Sequence, residues 1–165
     1  MYARLGLLIA LTIFTSDIAT KWFVAAVVMD PPRVIEVFPF FNLVLGFNRG
    51  ISFGLLNSDS PAAPYLLSAF ALVVVGLLVV WLRRSKHAAE AAGIGAIIGG
   101  AAANIADRLA DGAVTDFLDF YIGSYHWPAF NIADAAIFCG VALLVAPPWL
   151  YRANWSRRPQ KDLES

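Results

Sequence analysis

Four stretches of this chain, about Leu5 to Val28, Pro64 to Leu82, Ala88 to Leu109 and Phe130 to Tyr151, are long and apolar. Crossing the hydrocarbon of a bilayer takes roughly 20 mostly apolar residues in a helix, so each stretch is predicted to be a transmembrane helix. With 59% of 165 residues hydrophobic and 15% charged, the composition does not suit an ordinary soluble domain. The expected architecture is a mainly α membrane protein, with a single four-span domain over residues 1–151. Residues 152–165 form a polar tail, expected to be disordered and cytoplasmic. A cleaved signal peptide is not expected at the N-terminus, because the first stretch is long and carries Asp17 and Lys21.

Basic residues are unevenly placed. Eight of the twelve, Arg4, Arg83, Arg84, Lys86, Arg152, Arg157, Arg158 and Lys161, fall on one side of a four-span chain, so the positive-inside rule places both termini in the cytoplasm. Nine of the twelve acids lie in the opposite loops or the outer ends of the spans. The formal net charge of zero therefore hides a polarity across the membrane. The loops Met29 to Ala63 and Ala110 to Ala129 are expected to face outward.

In the first of these loops Val34, Ile35, Val37, Phe38 and Phe40 to Leu45 favour strand, interrupted by Pro39 and by Gly46, Gly50 and Gly54. A small sheet resting on the membrane surface is predicted. The third span contains Gly95 to Gly99, "GAIIG", a spacing that lets helices approach closely where lipid supplies no hydrophobic drive. Pro147 and Pro148 fall where a kink or early end of the fourth span is tolerable. No internal repeat is evident, which leaves a two-fold transporter architecture unsupported.

An ionisable side chain within a span costs several kcal/mol unless it faces a partner or a polar cavity. Asp17 and Lys21 are four apart on the first helix, suited to an ion pair. In the third span Asn104 and Arg108 share a face, with Asp107 beside them. At the start of the fourth, Asn131 and Asp134 are three apart on one face. Asp116 in the second outer loop and Asp134 can therefore meet at the outer boundary of the membrane. Two close carboxylates do not both ionise, so one keeps a proton while the other acts as base. That pair suits activation of water against a peptide carbonyl. Asp116 and Asp119 also read as ordinary interfacial loop residues, and the same acids suit a proton- or ion-coupled transporter. His87 and His126 form no metal-ligand spacing; His126 is expected in an interfacial loop. Cys139, five residues beyond Asp134, reads as a small core hydrophobe.

Five motifs taken together resemble those of the lipoprotein (type II) signal peptidases of bacteria. They are "DIATK" (Asp17 to Lys21), "NRGISF" (Asn48 to Phe53), "GGAAANIADR" (Gly99 to Arg108), "VTDF" (Val114 to Phe117) and "FNIAD" (Phe130 to Asp134). They stand in the family's order, and the resemblance covers the chain to about Tyr151. It implies an aspartic endopeptidase of the bacterial inner membrane that removes prolipoprotein signal peptides just before a diacylglyceryl-modified cysteine. Asp116 and Asp134 become the catalytic dyad. Asn104, Arg108 and Asn131 become candidates for positioning the dyad and the substrate backbone. Asn48 and Gly50 fall in the loop that helps hold substrate, and Asp17 and Lys21 support the site. The resemblance also implies four helices with a small outward-facing β-sheet and a surface-lying helical segment.

Three positions depart from the family's usual residues: Ile18 for Gln, Ala103 for Gly and Ser52 for Ala. Asp107 competes with Asp116 as the partner of Asp134, but its neighbour Arg108 is expected to hold it ionised. The expected partners are diacylglyceryl-modified prolipoproteins and membrane lipids, with no cofactor, metal or nucleic acid. A monomer is expected, with the active site facing the periplasm.

Overall fold

The computed structural model describes residues 2–50 and 62–146. Helix α1 (Tyr2–Phe23) continues into a π-helical turn (Val24–Val28), and α2 (Ala63–Arg84), α3 (Ala88–Asp111) and α4 (Ile132–Val145) are the other helices among the described residues. The first three are long and apolar enough to cross a membrane. Helix α4 is apolar over its 14 described residues, and its expected extension to Tyr151, with Pro147 and Pro148, lies outside the described residues. The four predicted spans correspond to these four helices. Large side chains point away from the protein, as at Leu66, Phe70 and Leu77 of α2, which are 69%, 70% and 67% exposed. In water that would be costly; in a bilayer it is the lipid-facing surface.

Helix α3 is the hub, packed against α1, α2 and α4. Lipid tails are as apolar as side chains, so association depends on close packing and polar contacts. Glycines on two faces of α3 provide the closeness. Gly95 and Gly99 lie on the backbone of Gly6 and Ala10 in α1, and a Cβ at Gly99 would stand 2.5 Å from the Ala10 carbonyl oxygen. On the other side, Gly100 abuts Ala133 and Gly93 abuts Gly140 of α4. The tight-packing role expected for "GAIIG" is thus realised, and it extends to a second helix. Gly112, at φ 71°, ends α3 with its N–H on the Arg108 carbonyl at 3.1 Å, a left-handed cap that suits glycine.

A four-stranded antiparallel sheet sits at the end of the bundle where α3 stops and α4 begins, in the order β1 (Ile35–Phe38), β2 (Phe41–Asn48), β3 (Val114–Ile122), β4 (Tyr125–His126). The first outer loop supplies β1 and β2 as expected. The second is not a plain loop: most of it is strand, and Asp116 and Asp119 lie on β3 rather than in an interfacial loop. Local composition hid this, because β3 is stabilised by pairing with β2, which is remote in sequence. Residues 51–61, Ser52 among them, and the polar tail lie outside the described residues.

One irregularity in the sheet decides which polar groups meet. Between Leu43 and Gly46 β2 advances three residues while β3 advances two, from Leu118 to Asp116. This bulge reverses the side-chain alternation of β2. Asn42 therefore shares a face with Asp119, and Asn48 shares the opposite face with Asp116.

Candidate active site

Asp116 and Asp134 arrive on different elements and are joined by asparagines. Asn131 is the N-cap of α4: its Oδ1 accepts the Asp134 N–H at 2.9 Å, filling one of the donors a helix start leaves open. Its Nδ2 donates to Asp116 Oδ1 at 2.7 Å. One fully buried side chain thus ties both acids together. Strand β3 is fixed beside it by backbone bonds between Leu118 and Phe130, at 2.9 and 3.1 Å. Asn48, at the end of β2, donates to Asp116 Oδ2 at 3.2 Å, and its own Oδ1 accepts the Gly50 N–H at 3.0 Å. Asn104 Nδ2 donates to Asp134 Oδ1 at 2.8 Å.

Beneath these acids lies a buried ionic cluster. Lys21 Nζ is 2.6 Å from Asp17 Oδ2 and 2.9 Å from Asp107 Oδ2, and donates to Asn104 Oδ1 at 2.9 Å. The expected Asp17–Lys21 pair exists, as part of a larger set. Asp17 Oδ1 also accepts the Ala133 N–H at 2.8 Å, and Asp107 Oδ2 the Thr115 N–H at 3.2 Å. Asp107 is therefore engaged by Lys21 and by the strand rather than held by Arg108. Sequence reasoning missed this because its neighbour in the chain was the evident cation. The available signal was charge balance, since one buried lysine between two helical acids can serve both. Arg108 donates to the backbone oxygens of Gly50 at 3.0 Å and Asn104 at 3.4 Å, holding the end of β2 against α3.

Asp119 points to the other face of β3. It accepts from Asn42 Nδ2 at 3.0 Å and meets His126 Nδ1 at 2.9 Å. His126 belongs to β4 and stacks on Tyr121, so it too is more than a loop residue. Cys139 is exposed on the outside of α4 rather than packed in the core; the apolar run around it meets lipid, not protein. An apolar recess of about 440 Å³, lined by Phe40, Phe120, Tyr121, Ile122, Tyr125 and Trp127, lies at the opposite end of β3 from Asp116. Such aromatics suit a membrane interface.

Burial first, and then the charge of Asp134, pushes the Asp116 carboxyl up to about 6. The bonds from Asn48 and Asn131 and the charge of Lys21 act in the opposite sense. An acid with that value next to a second carboxylate can hold a proton close to neutrality while its neighbour stays a base.

The sequence model of signal peptidase (SPase) II matches residues 9–149. The chain belongs to the signal peptidase II family. The lipoprotein signal peptidase of Beijerinckia indica is 42% identical over 142 residues, spanning 86% of this chain and 85% of that protein. That of Vibrio cholerae is 41% identical over 144 residues, spanning 83% and 82%. A solved bacterial membrane enzyme superposes with a TM-score of 0.75 at 26% identity, covering 96% of this chain and 94% of that one. A second gives 0.74 at 28% identity, covering 85% and 89%. A signal peptidase II is a protease, and with its apolar helices this member is a multi-pass bacterial membrane protein. Family membership displaces the transporter reading that the same buried acids had left open.

Proposed function

We propose that this chain is an aspartic endopeptidase that removes prolipoprotein signal peptides just before the diacylglyceryl-modified cysteine. The observation that carries the reading is the convergence of Asp116 and Asp134 on Asn131. One carboxylate takes a proton from water as the oxygen attacks the scissile carbonyl carbon, and the other gives its proton to the carbonyl oxygen. The resulting diol collapses as a proton passes to the leaving amine and the C–N bond breaks. Asn104 and Asn131 orient the acids; Asn48, Gly50 and Arg108 hold the end of β2 against them. A cysteine anchored by its lipid stays at the outer leaflet, which is why such acids belong at the end of the bundle. The charge distribution supports both termini in the cytoplasm and the site toward the periplasm of the inner membrane. The proposed domain is residues 1–151, with 152–165 as a cytoplasmic tail, acting as a monomer.

Purified protein in micelles should cleave a diacylglyceryl-modified prolipoprotein, and the same chain lacking the lipid should be a poor substrate. Cys139→Ala should cleave at the wild-type rate, and chelators should have no effect. Inactivation by chelator reversed by zinc, or a folded but inactive Cys139→Ala, would sink the aspartyl mechanism.

A pH profile offers an independent check. Asn48→Ala removes an N–H that favours ionised Asp116, so the proton is held to higher pH. The alkaline limb of kcat/KM should move upward by on the order of half a unit. An unmoved limb, or one moved downward, counts against Asp116 as a member of the pair.

A further inference from the structure

The ammonium of Lys21 has three donors and no acceptor, and it faces three acceptors: Asp17 Oδ2, Asp107 Oδ2 and Asn104 Oδ1. Each acceptor side chain also makes a bond that ends on or beside a member of the proposed dyad. Asp17 takes the N–H of Ala133, the residue before Asp134. Asp107 takes the N–H of Thr115, the residue before Asp116. Asn104 gives its Nδ2 to Asp134 itself.

The third of these is directional. A carboxamide has one accepting and one donating end. Lys21 can only donate, and Asn131 Nδ2 also donates to Asn104 Oδ1 at 3.3 Å. The Asn104 oxygen is therefore committed downward, and its nitrogen must face Asp134. Without the ammonium the amide can turn and present oxygen to the carboxylate, which favours a protonated Asp134. Lys21 is 4% exposed, so water is not at hand to replace it.

We propose that Lys21 is a positioning residue of the aspartyl site, locking the Asn104 amide toward Asp134 and, through Asp17 and Asp107, fixing the backbone beside both acids. This rests on the aspartyl reading of the site. Among the described residues, the charged groups gathered around the pair are Asp17 and Lys21 from α1, Asp107 and Arg108 from α3, Asp116 from β3 and Asp134 from α4. Within that set Lys21 is the group that bonds to α1 and α3 acceptors at once. A purely structural ion cluster, by contrast, holds α1 to α3 without influencing proton transfer.

Steady-state cleavage of a diacylglyceryl-modified prolipoprotein, followed against pH, separates the two for Lys21→Met, Asn104→Leu and their double variant. Lys21→Met should lower kcat by roughly tenfold or more, with KM within about threefold, and in the Asn104→Leu background cost less than about threefold further. Its acid limb should move to higher pH. Losses that multiply, with wild-type pH limbs, overturn the proposal. Lys21→Met combined with Asp17→Asn leaves the cluster's formal charge unchanged. It takes the place of Lys21→Met in the same cycle if the single variant does not fold, with the same expected and overturning results. Asp116→Asn and Asp134→Asn run in parallel: normal cleavage by either sinks the aspartyl reading, whereas inactivity of both without Lys21–Asn104 coupling sinks only the Lys21 assignment.

Discussion

Asp116→Asn and Asp134→Asn should each lower the single-turnover rate by at least about three orders of magnitude while leaving the protein folded and able to bind substrate. The size of the effect follows from the division of labour. An amide in place of either acid can neither take a proton from water nor pass one to the carbonyl oxygen. Folding should survive, because asparagine is nearly isosteric and the bonds at both positions are made by flexible amide partners. Asp107→Asn should be different in kind. It weakens a buried contact to Lys21 and the hold on Thr115, so stability and activity should fall in part. Breaking a buried ion pair from one side costs on the order of 3–5 kcal/mol in soluble proteins. Substantial cleavage by Asp116→Asn, with none by a well-folded Asp107→Asn, would transfer the catalytic assignment to Asp107.

Gly100→Val should be nearly as damaging for a reason that involves no chemistry. A Cβ at Gly100 would stand 2.5 Å from the Ala133 carbonyl oxygen and 2.9 Å from Ile137 Cγ1. The first is backbone and cannot turn aside, so α4 must move away from α3. Ala133 precedes Asp134, and its N–H is held by Asp17. The displacement therefore separates Asp134 from Asn104 as well as loosening the bundle. Overpacking of this kind costs about 1–3 kcal/mol or more, and cleavage should fall by roughly a hundredfold or more in whatever protein still folds. Gly76→Ala is the control. Nothing lies within 4 Å of a Cβ there, on the lipid side of α2, so thermal stability in micelles and cleavage should both match wild type. Equal behaviour of the two variants would show that helix approach does not set the site.

Much of this protein was legible in one dimension because a bilayer is a simple solvent. Length and apolarity locate α1, α2 and α3, and an ionisable group such as Asp17 or Lys21 stands out in an apolar run where it would be unremarkable on a soluble helix. Helical periodicity similarly places Asn104 with Arg108 and Asn131 with Asp134. The second outer loop was harder. Val114 to Ile122 is rich in strand formers, but a strand is only realised when another pairs with it, and β2 lies about seventy residues earlier in the chain.

The sequence by itself therefore determined the solvent, the number of spans, the family and the short list of polar residues able to act. These follow from local composition and spacing, which need no knowledge of what touches what. Tertiary structure decided which of those residues meet. Strand alternation sends Asp116 and Asp119 to opposite faces of β3, and the β2 bulge gives each an asparagine from β2, Asn48 for Asp116 and Asn42 for Asp119. The glycine contacts of α3 bring α1 and α4 close enough for Lys21 to bind Asp17, Asp107 and Asn104 together. Register and helix approach are relations between segments remote along the chain, so no local pattern encodes them.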